Sequence, residues 1–216
     1  MSKVFIDANV IANWILISSS ANRLEELKDD KILSERFRAF SYSYVLIEAL
    51  KEDNTYEAMT STLALGEVYH VLYNEVLSLK MYRSGIPLTL WSKLRNKNDL
   101  TEDEKSIFWD TVRSHLNELK SFIAVIDDNV DNEVYPKLVL DYGLRPHDAI
   151  LLTTAVLNEC KWFITNDSEI IQLNKRKPKG KKRRKGKPPL SELFNITPDS
   201  PQNFLREVKR EIGKET

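Results

Sequence analysis

The chain has 216 residues, 42% of them hydrophobic, with 32 basic and 32 acidic side chains. That content suits one well-packed domain over residues 1–216 and excludes a chain too polar to bury a core. No apolar run approaches the roughly 18 residues of a membrane span, and the lone Cys160 excludes an internal disulfide, so a reducing cytoplasm is the expected setting. The zero net charge conceals a segregation. Residues 175–187 read KRKPKGKKRRKGK, ten basic residues with no acid among them. Without those ten, 22 basic residues face 32 acidic ones, so an acidic body carries one concentrated basic patch. Only the patch would attract a polyanion.

In chain order, Lys3-Val4-Phe5-Ile6 is short, apolar and β-favouring, and predicts a buried strand ending at Asp7. Apolar residues at helical spacing then predict helices from Asn9 to about Lys28 and from Ser34 to Glu52. Thr60 to Leu65 reads as a brief strand, or the end of one, leading into a helix that carries Glu67, Val68, Val71 and Leu72. Arg83 to Asp99, with Gly85 and Pro87, reads as irregular. Thr101 and Glu104 have the spacing of a capping box, which starts a helix running to about Lys120. Residues 82–120 are thus expected as a helical insertion. Phe122 to Ile126 is a continuous apolar run, expected as a strand buried on both faces. Asp131 to Tyr142 predicts a helix with Gly143 at its C-terminus, and Pro146 starts another that runs through Leu157. Trp162 to Thr165 predicts a fourth strand, and Leu193 to Thr197 a fifth. Strands alternating with helices predict an α/β fold, with a mostly parallel sheet of about five strands flanked by helices.

Four acids share one kind of position. Asp7 follows the first strand, Glu67 lies early in a helix, Asp148 opens a helix, and Asp167 follows the fourth strand. In a parallel sheet these transitions fall along a single edge. Four carboxylates meeting there repel one another unless a cation sits among them. Oxygen-only ligands select hard cations, Mg2+ or Mn2+, and such ions promote phosphodiester cleavage by a metal-activated water. No glycine-rich phosphate loop, Cys–His pairing or nucleophile-elbow serine competes with this reading.

The motifs around these acids resemble those of PIN-domain ribonucleases. Val4-Phe5-Ile6-Asp7-Ala8-Asn9 is similar to the family's opening, and Leu65-Gly66-Glu67-Val68 to its second acidic position. Arg145-Pro146-His147-Asp148-Ala149-Ile150 resembles its third, and Phe163-Ile164-Thr165-Asn166-Asp167 its fourth. Phe194 to Pro198, with Phe204-Leu205, resembles its closing strand and tail. The resemblance implies a PIN-like fold and a metal-dependent endoribonuclease. Asp7, Glu67, Asp148 and Asp167 would be catalytic metal ligands, supported by Asn9 and Thr165. It implies RNA as substrate and two cellular roles: a toxin of the VapC group with a cognate antitoxin, or a processing enzyme of ribosomal RNA near a ribosomal component. It also implies a homodimer and no membrane. The insertion and the basic segment depart from the compact toxin pattern. A non-catalytic RNA- or protein-binding module retaining the fold is the competing class, and the presence of all four acids speaks against it.

Each residue also has a plainer reading. Asp7, Asn9 and Asp148 suit helix N-caps, and Asp167 and Thr165 suit a turn. Glu57 and Glu75 flank Glu67, and Glu169 is placed to replace or assist Asp167. His147, beside Asp148, suggests a general base, though a lone histidine at a helix start is more often a surface or packing residue, and His70 and His115 read as structural. Trp14, Trp91, Trp109 and Trp162 read as core or interface, and Cys160 as a buried thiol. The basic side chains Lys175, Arg176, Lys177, Lys179, Lys181, Lys182, Arg183, Arg184, Lys185 and Lys187 suit an RNA-backbone grip, a contact to an acidic partner or the ribosome, or a solvated loop. Their nearness to Asp167 in the chain favours the first. Charge of this kind confers affinity without sequence choice.

Overall fold

Val4, Phe5 and Ile6 have no solvent exposure, which requires neighbours on both edges and both faces of the first strand. The computed structural model describes residues 1–20, 31–52, 55–174 and 187–212 and supplies those neighbours. In chain order the elements are β1 (Ser2–Ile6), α1 (Ala8–Ser20), α2 (Lys31–Glu52), β2 (Tyr56–Ser61) and α3 (Thr62–Arg83). There follow α4 (Trp91–Leu94) between two 3-10 turns, α5 (Glu102–Leu119), β3 (Ala124–Ile126), α6 (Val134–Leu140) and α7 (Pro146–Leu157). The chain ends with β4 (Trp162–Ile164), α8 (Ser168–Gln172), α9 (Leu190–Leu193), β5 (Thr197–Asp199) and α10 (Pro201–Ile212). All five strands pair in parallel in the order β3-β2-β1-β4-β5, the flanked α/β sheet that the strand–helix alternation predicts. β1 lies at the centre. Phe5 is in register with Phe163 of β4, their rings stacked 5.2 Å apart. Phe204 of α10 packs edge-on against both Tyr56 and Trp162, closing the sheet's N-terminal half. Trp14 is buried because its indole N–H finds Glu48 of α2 at 2.8 Å.

Several boundaries differ from the sequence expectations, each for a physical reason. The second strand ends at Ser61 rather than running through Thr60 to Leu65. Ser61 is the N-cap of α3, accepting from the Ala64 amide at 3.2 Å, and Asp128 accepts from Thr62 Oγ1 and the Leu63 amide. The Phe122–Ile126 run is not a strand buried on both faces. Only Ala124–Ile126 pairs, and it is the sheet edge, with Val125 36% exposed. The fifth strand is Thr197–Asp199, because residues 190–193 form a helical turn that ends near Asn195 at φ 55°. Asn is among the few side chains that adopt that left-handed conformation readily.

The insertion at about 82–120 consists of short turns and then α5, whose Thr101–Glu104 capping box is present as predicted. Lys80 bridges to Glu104 at 2.6 Å, and Arg95 donates to Asn74, tying the insertion onto α3. Trp109 is 54% exposed and tilted over Tyr69 at 5.0 Å, which removes the core half of the core-or-interface expectation. The first helix is described through Ser20, and its expected extension to Lys28 lies outside the described residues. Among the described residues no helix is long and apolar enough to cross a membrane.

Candidate metal centre

In an all-parallel sheet every strand delivers its C-terminal residue to one edge. β1 leads to β2 and β3 on one side, whereas β4 and β5 lie on the other. The order therefore reverses between β1 and β4, and a crevice forms outside the strand ends at such a switch point. Asp7 and Thr165 are the residues that follow β1 and β4 there. The Asp7 amide donates to Ile164 O at 3.0 Å, continuing the β1–β4 ladder one step past the strands.

Asp7 is 6% exposed and fully engaged. Its Oδ1 accepts from the Ala8 amide at 2.7 Å. Its Oδ2 accepts from Asn9 Nδ2 at 2.7 Å and from Thr165 Oγ1 at 2.6 Å. Asn9 also donates to Thr165 Oγ1 at 2.9 Å and accepts from the Asn166 amide at 2.9 Å, and Thr165 Oγ1 accepts from the Asp167 amide at 2.9 Å. Asn9 and Thr165 thus join the ends of β1 and β4 and hold the Asp7 carboxylate between them, so Asn9 does more than cap a helix. Asn166 Nδ2 reaches buried Ser43 of α2 at 3.1 Å, fixing the turn from behind; Ser43 carries no motif that would have revealed this.

Burial raises the Asp7 pKa to about 7. The hydrogen bonds from Thr165 and Ala8 resist that rise, and the negative fields of Glu67 and Asp148 add to it. Glu67, one turn into α3, is also raised, first by desolvation; His147 opposes the rise and Asp148 augments it. Asp148, in the first turn of α7, is raised by desolvation and by the charges of Asp167 and Glu169, against Arg145 and His147. Among the described residues no donor reaches the Asp148 carboxylate. Asp167 is the N-cap of α8, its Oδ1 accepting from the Glu169 amide at 2.7 Å. The turn reading of Asp167 therefore holds together with its place at the edge.

Of the four sequence-predicted acids, Asp7, Glu67 and Asp148 feel one another's charge, and Asp148 also feels that of Asp167. They are not drawn into a closed ligand set: among the described residues no three acidic, histidine or cysteine side chains form a ready-made metal-holding group. The donor chemistry nevertheless fits a hard divalent cation. All four acids offer oxygen donors, the most buried is a carboxylate with no cationic neighbour among the described residues, and mutual repulsion is the field a cation relieves. Sequence reasoning missed one participant. His147 Nδ1 lies 3.1 Å from Glu67 Oε1 and joins α7 to α3. Its position directly before Asp148 was the available signal.

The remaining predicted residues are structural or lie elsewhere. His70 pairs with Asn74 and His115 with Thr111 O. Burial pushes the Cys160 thiol up to about 12, as expected for an inert side chain. Of the basic segment, residues 175–186 lie outside the described residues. Lys187 is described, 5.7 Å over the Tyr142 ring. An apolar groove of about 660 Å3, lined by Ile15, Leu72, Val76 and Phe108 among others, opens toward the C-terminal ends of α1 and α3. Both helices start at the acidic edge, so the groove is remote from the carboxylates.

A parallel α/β sheet with a switch point belongs to the class of folds in which ligands bind in the crevice outside the strand ends. The chain belongs to the PIN domain family, whose model matches residues 4–176 and so spans β1 through the start of the basic segment. An uncharacterized protein of Archaeoglobus fulgidus is 32% identical over 108 residues, which make up 49% of this chain and 90% of that protein. No solved structure matches the chain significantly. PIN domains are in general nucleases that use divalent metal ions.

Proposed function

We propose that this chain is a Mg2+- or Mn2+-dependent endoribonuclease, with Asp7, Glu67, Asp148 and Asp167 holding the cation. What supports this reading is that Asp7, Glu67 and Asp148, far apart in the chain, act on one another's charge beside the switch point, where burial and like charge raise all three, and that Asp148 also feels Asp167. When bound, a divalent ion supplies an activated water and neutralises charge on the scissile phosphate. The chain's own residues perform the remaining work. Asp7 is held rigid by the Asn9–Thr165 pair, so it presents one fixed orientation. Asp148, with no donor on it among the described residues, keeps its acceptor capacity for the ion. Thr165 links Asp7 to the Asp167 amide, which ties the two sides of the crevice into one unit.

The basic side chains of 175–187 act as a grip on the RNA backbone outside the cleavage centre. Supporting this, the segment's flanks are clipped to each other and to the turn that precedes α7. Asn174 Oδ1 accepts from the Ser191 amide and hydroxyl at 3.2 and 2.6 Å, and Tyr142 donates to Pro188 O at 2.7 Å. Tyr142 belongs to the turn that leads into α7 and Asp148.

The test is cleavage of single-stranded RNA with Mn2+, with and without chelator, comparing wild type, Asp7→Asn and Asp148→Asn. Loss of about 100-fold or more in either variant is expected, and undiminished cleavage in both rejects the site. RNA binding without cleavage by the wild-type chain would instead assign a non-catalytic binding module. Growth arrest on expression, relieved by a cognate antitoxin, separates the toxin role from ribosomal-RNA processing.

A further inference from the structure

His147 stands one residue before Asp148 in the first turn of α7, yet its contact is with another element. Its Nδ1 meets Glu67 Oε1 of α3 at 3.1 Å. The two side chains differ in exposure, 68% for His147 and 28% for Glu67. The contact thus has an outer face in water and an inner face against the acidic edge. Glu67 needs such a partner more than the other acids do. Asp7 is short and pinned by three donors, and Asp167 is pinned by the Glu169 amide. Glu67 has a longer side chain with more rotamers to lose, and it sits where Asp148 and Asp7 repel it. Without a tether its carboxylate would swing away from the other acids toward water. Among the described residues His147 Nδ1 is the side-chain atom that meets Oε1, and none of them donates to Oε2.

We infer that His147 is a positioning residue for the metal centre: its Nδ1–H fixes Glu67 through Oε1 and leaves Oε2 as the free donor atom for a divalent cation. The inference rests on the metal-site reading above and deepens it. A neutral imidazole suffices, since one N–H donating to a carboxylate oxygen sets both the tautomer and the orientation. His147 is assigned as a tether and not a ligand, because its Nδ1 is already engaged with Glu67. An ordinary surface ion pair would leave metal affinity unchanged. A tether on a ligand changes it, typically by about 10- to 100-fold.

The test measures Mn2+ binding to the full chain by calorimetry and by the electron paramagnetic resonance signal of free Mn2+, with no RNA present. His147→Ala is expected to weaken Mn2+ at least about 10-fold. His147→Asn, whose side-chain N–H stands near the place of Nδ1–H, is expected to restore most of it. In a Glu67→Gln background, His147→Ala is expected to have no further effect, because the two residues act as one unit. Melting temperature should barely move, as His147 is largely exposed. Wild-type Mn2+ affinity in His147→Ala overturns the inference, and so does full additivity with Glu67→Gln. Asp148→Asn separates the two levels. If it also binds Mn2+ like wild type, the metal site itself is wrong. If it loses Mn2+ while His147→Ala does not, only the role of His147 falls.

Discussion

Asp7→Asn removes the most deeply buried charge at the acidic edge, and its effect on the metal-free protein should change sign with pH. An aspartate carboxyl in an open chain titrates near 3.8, and the fold raises that of Asp7 to about 7. The folded state therefore holds the proton more tightly than the unfolded chain. Its contribution to stability is present below about pH 4 and is lost as pH rises toward 7 and beyond. A difference of about three decades in proton affinity corresponds to about 4 kcal/mol. Asn escapes that loss because it does not ionise. Its amide also puts an NH2 group where the neutral acid has an oxygen, so the contacts of Asn9 and Thr165 at Oδ2 must be remade, at about 1–3 kcal/mol. The variant should thus be less stable than wild type at pH 4 by about 1–3 kcal/mol and more stable at pH 8 by a similar amount. With about 2–4 °C per kcal/mol for a chain of this size, the crossover amounts to roughly 8–16 °C in relative melting temperature. Scanning calorimetry in chelator at the two pH values reads it directly. Adding Mn2+ at pH 8 should reverse the order, because the cation stabilises only the protein that binds it. A wild-type-minus-variant difference that stays constant between pH 4 and pH 8 would refute the reasoning, since Asp7 would then not be a desolvated acid.

Thr165→Val should destabilise the fold by about 1–3 kcal/mol in chemical denaturation, because it strips the Asp167 amide of its acceptor and Asp7 of a donor; Thr165→Ser should recover most of that loss. Thr101→Ala removes the α5 cap and should cost about 1 kcal/mol while leaving RNA cleavage unchanged, a combined result readable by melting and by activity on the same sample. Replacing the basic residues of 175–187 with Gln should weaken RNA binding and flatten the slope of affinity against salt concentration, with Mn2+ binding intact; an unchanged slope would remove the segment from the RNA interface.

How much of the molecule is legible in its sequence depends on the range of the interaction. The capping box at Thr101, the Pro146 start of α7 and the core strand at Val4–Ile6 are short-range decisions, written in neighbouring residues, and the structure shows them where the sequence puts them. The same holds for the four acids at strand–helix transitions, because a parallel α/β alternation leaves one edge for all of them. Boundaries set by distant partners are different. β2 stops at Ser61 because Asp128, 66 residues beyond Thr62, captures the first turn of α3. β3 lies open because strand order, which no local pattern encodes, puts it at the edge.

The side-chain wiring of the site belongs to tertiary structure for the same reason. Thr165 reaches Asp7 across 158 positions, and His147 reaches Glu67 from another helix. Such hydrogen bonds depend on distances of about 3 Å that hydrophobic periodicity does not specify. The amino-acid sequence by itself determined which acids would stand at the edge and that their donors would all be oxygens, since both follow from residue type and strand–helix order. Only the folded chain decided which neighbours hold each acid and how strongly burial raises its hold on a proton, because both depend on what closes around it in space.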